Sequence, residues 1–139
     1  VHGFYKHFMR WGFWKKPMPP YKDTYFNYVT NLQTQETKEE LFNNLVPESG
    51  KAYTEMSFPF FDKNKSTKVE YSKINCPVLV ITGDKDLIVN PKIAKKTSEK
   101  YRDSKFVMLK NSDHMYSSDR VVDKTINEIN LWLEEESLI

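Results

Sequence analysis

The chain of 139 residues has one cysteine, Cys76, and four glycines, Gly3, Gly12, Gly50 and Gly83. One thiol excludes an internal disulfide framework and suits a reducing compartment, so a cytoplasmic location is expected. So few glycines leave no room for a Gly-rich phosphate loop. No stretch approaches eighteen consecutive apolar residues, which excludes a transmembrane helix of ordinary length. Neither sign of charge is in large excess: the formal net charge is +2, too little to mark a nucleic-acid binder. No His, Cys, Asp and Glu fall at metal-ligand spacing, and neither a metal nor a cofactor is expected.

What is present is a chain of ordinary globular make-up, 39% hydrophobic and 29% charged, long enough for one modest core. The first thirty residues are basic, with Lys6, Arg10, Lys15, Lys16 and Lys22 against Asp23 alone. The chain opens Val1-His2-Gly3-Phe4, with neither an initiator Met nor a signal-peptide layout, and is read as a processed chain or a piece of a longer protein.

Two textures meet near residue 70. Residues 1–70 carry aromatics and helix signals, with no convincing strand. Phe4, Phe8 and Trp11 fall on one helical face that Pro17, Pro19 and Pro20 end. Thr37 and Glu40 have capping-box spacing for a helix through Leu41 and Leu45, stopped by Pro47. Ala52, Met56 and Phe60 suggest another short helix, and residues 62–67 a polar loop.

Residues 71–139 read strand, helix, strand, helix. Pro77–Thr82 is short, β-branched and apolar on both faces, as a buried parallel strand requires. Asn90 can cap the next helix, with Pro91 at its first position and Ile93, Ala94, Thr97 and Tyr101 on one face. Lys105–Leu109 is a second strand. Ser118 or Asp119 can cap a last helix that repeats Val122, Ile126, Ile129 and Leu133. Such a run predicts α/β architecture with parallel strands and right-handed crossovers.

In open parallel sheets, functional groups gather at the carboxyl ends of the strands. Asp84 and Asp86 stand just past the first strand, and Asn111-Ser112-Asp113-His114 just past the second. Adjacent strands lie about 5 Å apart, so a carboxylate of the first loop and His114 come within reach. An aspartate that fixes a histidine's tautomer, and a histidine that takes and returns a proton, are two thirds of an acid–base–nucleophile triad. Alone, GDKD is a turn and His114 a solvated loop residue; together, after consecutive strands, they favour the triad. Cys76 lies at the other end of the first strand, roughly 20 Å from the acid turn, and is read as structural.

PVLVITGDKDLIVNP (77–91) resembles the late strand and G-x-x-D acid turn of an α/β-hydrolase. NSDHMYSSD (111–119), followed by a helix ending LWLEE, resembles that family's histidine loop and closing helix, although Ser112-Asp113 stands where the family often has a small residue. LVPESGKAYTEMSF (45–58) resembles cap-to-core sequence of microbial esterase- and lipase-like members. The resemblance implies the C-terminal part of the fold, residues 71–139, preceded by a helical cap, residues 1–70. It makes Asp86 the acid, His114 the base and Asp84 a solvated turn residue. The family's nucleophile turn, G-x-S-x-G, occurs nowhere in the chain. The implied parent is a serine hydrolase of small carboxylic esters, of which this chain alone is inactive. A non-catalytic interaction module of the same fold, and a dehalogenase or C–C hydrolase, are the alternatives.

As a cap, residues 1–70 would roof the site and line an acyl or aryl pocket with Phe, Trp and Met, with His2 and His7 on its surface. Phe4, Phe8 and Trp11 could instead enter a lipid surface, but the prolines keep that helix short and the cap is preferred. The expected partners are a small-molecule ester in the intact parent, no nucleic acid and no membrane. Self-association is expected through the first strand's unpaired edge.

Overall fold

In the computed structural model, which describes residues 5–118 and 120–138 apart from the side chains of Tyr5 and His7, the chain divides into two units. The expectations placed on His2, Phe4 and Asp119, and on the His7 side chain, lie outside the described residues. The first unit runs up to Asn27 and takes in Gln35–Val69; the second comprises Tyr28–Thr34 and Glu70–Ile139. Residues 28–34, inside the stretch assigned to a cap from sequence, thus belong with the strand–helix repeat.

The first unit is built from short pieces. Helix α1 (Tyr5–Phe8) gives way to a 3₁₀ turn at Phe13–Lys15 because Gly12 takes a left-handed φ of 75°. The single helical face through Trp11 is therefore not formed, and Trp11 is 87% exposed. Strand β1 (Pro17–Met18) is followed by α2 (Lys22–Thr24), a π-helical turn at Tyr25–Val29, and α3 (Gln35–Asn43). Thr37 and Glu40 fall inside α3, so they do not form a capping box at its start, and Leu45 lies beyond its end. Strand β2 (Glu48–Ser49) pairs antiparallel with β1, a strand contact the sequence did not announce. Helix α4 (Gly50–Ser57) begins where the Ser49 hydroxyl accepts from Ala52 N–H at 3.3 Å. Gly50 is required there: a Cβ would stand 2.0 Å from the Phe13 carbonyl oxygen. Phe8 packs against Phe13 and Phe58 with ring centroids 5.3 and 5.4 Å apart, whereas Met56 and Phe60, read as a helical face, are largely exposed. The polar loop after Phe61 is ordered by Asp62, whose carboxylate accepts from Ser66 Oγ and from Thr67 N–H, each at 2.9 Å.

The second unit has α/β architecture. Strands β3 (Val78–Gly83) and β4 (Ser104–Leu109) are parallel, in register from Val78 opposite Ser104 to Gly83 opposite Leu109. Among the described residues these two form the whole sheet. Between them runs α5 (Pro91–Ser98), and α6 (Val122–Glu135) follows β4; both pack on the strands. Asn90 caps α5 as its position suggested, its Oδ1 accepting from Lys92 N–H at 2.9 Å. On α5, Ala94 and Ser98 turn inward while Ile93 is 60% exposed, so the inward face is narrower than the apolar spacing implied. The apolar residues Val78–Ile81 are only half-buried, which is what a two-stranded sheet allows. Among the described residues, no helix is long and apolar enough to cross a membrane.

Candidate functional site

The register of β3 and β4 ends both strands at one edge, and both functional loops start there. The first, Asp84–Val89, folds back on itself around Asp86. Asp86 Oδ1 accepts from the N–H groups of Ile88 and Val89, both at 2.8 Å. This Asx-type turn explains why an aspartate stands at that place and leaves Oδ2 pointing away from its own loop. His114 Nδ1 lies 2.9 Å from Asp86 Oδ2. The Asp86 side chain is wholly buried and that of His114 is 30% exposed.

Two backbone N–H groups thus hold Oδ1, and Oδ2, an acceptor when ionised, faces the histidine ring. A neutral imidazole that donates to this carboxylate carries its hydrogen on Nδ1 and keeps the lone pair on Nε2. The two residues named from sequence are thus brought together. Tyr116 stands edge-on to the His114 ring, centroids 5.9 Å apart. Burial, and secondarily the Asp86 charge, push its hydroxyl above the usual tyrosine range.

The two loops are also tied to each other. Asp84 N–H donates to the Leu109 carbonyl at 3.0 Å and Lys85 N–H to the Ser112 carbonyl at 2.9 Å. Asp84 Oδ1 accepts from Ser112 N–H at 3.2 Å. Asp84 is therefore half-buried and binds the histidine loop, not the solvated turn residue that the family resemblance implied. Asn111 turns the chain out of β4 with a left-handed φ of 54°, a conformation asparagine tolerates.

Sequence reasoning missed the far side of the histidine loop. Asp113 is completely buried. Its Oδ2 accepts from Leu32 N–H at 2.9 Å, and its Oδ1 from Gln33 Nε2 at 2.8 Å and Met115 N–H at 3.0 Å. Gln33, also buried, accepts in turn from Ser118 Oγ at 2.9 Å. Ser118 was expected as a helix cap; its hydroxyl serves Gln33 instead, while its backbone carbonyl accepts from Val121 and Val122 N–H. An aspartate readily accepts from the N–H two residues on, so the local bond to Met115 was discoverable; nothing in the sequence pairs Asp113 with Gln33.

Cys76 is an exposed free thiol just before β3, at the strand end opposite Asp86. Among the described residues no group of His, Cys, Asp and Glu could hold a metal ion. Within the first unit a cavity of about 590 Å³ is lined chiefly by Phe8, Phe13, Trp14, Phe58 and Phe61, a size ordinary for small-molecule pockets. No family model matches the chain, and no curated protein or solved structure matches it either.

Proposed function

We propose that this chain carries the acid and base of an α/β-hydrolase-type triad, and that the protein containing it cleaves small carboxylic esters. The observation that carries the reading is the 2.9 Å contact between Asp86 Oδ2 and His114 Nδ1 at the carboxyl ends of adjacent parallel strands. Burial of Asp86 against partial exposure of His114 supports the division of roles, with the acid fixed and the base open to a reactant.

In this reading the nucleophile is a serine supplied by residues outside these 139, since the chain has no G-x-S-x-G turn. His114 Nε2 takes the serine hydroxyl proton as the oxygen attacks the ester carbonyl. Asp86 steadies the resulting imidazolium, and Nε2 returns the proton to the departing alkoxide. A water molecule then attacks the acyl-serine, giving its proton to Nε2, and collapse restores the serine with the same proton.

Hydrolysis of p-nitrophenyl acetate by the protein translated from its whole gene tests this. His114→Ala is expected to lower kcat/KM about 10²–10⁴-fold, with Asp86→Asn lowering it in the same direction through the wrong tautomer. Wild-type activity that survives His114→Ala would remove the reading. The 139-residue chain alone is expected to show no hydrolysis that depends on His114.

A further inference from the structure

His114 is the central residue of a turn closed by its two neighbours. Asp113 Oδ1 accepts from Met115 N–H at 3.0 Å, which fixes the backbone on both sides of the histidine. The same carboxylate also reaches residues 32–33, Oδ2 accepting from Leu32 N–H and Oδ1 from Gln33 Nε2. Gln33 joins this contact to the far end of the same loop, because its amide donates to Asp113 and its carbonyl accepts from Ser118. One glutamine thereby holds residues 113 and 118, the two ends of the loop that carries His114. Carboxylate, amide and hydroxyl are all buried, where charge-assisted hydrogen bonds are strong and leaving one unmade is costly.

We infer that Asp113 is a positioning residue, which with Gln33 and Ser118 clamps the histidine loop so that His114 Nδ1 stays on Asp86. The catalytic meaning of this clamp rests on the triad reading above; its geometry does not. The Asp86–His114 bond needs the ring in one rotamer, and the six-residue segment 113–118 that carries it is held at both ends. The clamp supplies that restraint from residues eighty or more positions upstream, in segment 28–34, which belongs to the second unit.

The test is nitrogen-15 NMR of the His114 imidazole in the intact 139-residue chain, reading the tautomer and the exchange of the Nδ1 proton with water. Wild type is expected as the Nδ1–H tautomer with slow exchange. Asp113→Asn keeps the shape but places an NH₂ against N–H donors; it is expected to mix the tautomers and speed exchange about tenfold to a hundredfold. Ser118→Ala removes only the outer contact and is expected to shift the same signals less. Should Asp113→Asn fail to fold, Ser118→Ala decides alone. A folded variant with lower melting temperature but unchanged His114 signals would show a merely structural role and overturn the inference. Because this readout needs no turnover, failure of the clamp is told apart from failure of the hydrolase reading, which appears only in the His114→Ala activity.

Discussion

Gly83 occupies the end of β3, where the backbone of the histidine loop passes over it. A Cβ there would stand 2.2 Å from the Ser112 carbonyl oxygen and 2.6 Å from that of Asp113, so any side chain forces the loop away. Gly83→Ala is expected to destabilise the fold by roughly 1–3 kcal/mol and to lengthen the Asp86–His114 contact; urea unfolding and the His114 NMR signals check the two effects. Asp62 governs a different property. The Thr67 N–H, helped by the Ser66 and Thr67 hydroxyls, outweighs burial and holds its carboxyl below the usual aspartate range. A lowered folded value means stability that is present above the unfolded value of about 4 and lost as pH falls through the folded one. The stability gap between wild type and Asp62→Asn should therefore be full at neutral pH and narrow in acid, as urea melts at both conditions would report. Asp86, His114 and Asn90 were legible in the sequence because each makes its defining bond in a local turn or just past the next strand. Asp113 and Gln33 were not, because their contact spans eighty residues.

Helices and strands with their own local signals formed where the sequence placed them. β3, α5 and β4 combine β-branched runs with an Asn-Pro cap, and Asn90→Ala is expected to cost about 1 kcal/mol, measured by thermal unfolding. The first unit was less legible. Its apolar spacing suggested long helical faces, but the left-handed Gly12 and the β1–β2 pairing divide it into pieces too short to propagate as helix on their own. Its stability rests instead on aromatic packing. Phe58, in contact with Phe8, Phe60 and Phe61, is half-buried, so Phe58→Ala is expected to cost about 2 kcal/mol, less than a fully buried phenylalanine. The start of α6 shows a local signal overruled: Ser118 has a capping side chain, and Gln33 takes it.

For the molecule as a whole, the sheet of the second unit has two strands among the described residues, each with one edge unpaired by the other. Two-stranded sheets depend on packing from helices or further strands, and an apolar edge recruits another chain. The 139-residue chain is expected to self-associate, with an apparent mass by light scattering that rises with concentration; a concentration-independent monomer would argue that no strand is missing. The proposed function draws its nucleophile turn from residues other than these 139. The most direct measurement is labelling by a fluorophosphonate of the protein translated from its whole gene, with the modified residue located by mass spectrometry. The proposed function requires one labelled serine, outside these 139 residues, with labelling lost in His114→Ala. No labelled serine, or labelling as strong in His114→Ala as in wild type, would contradict it.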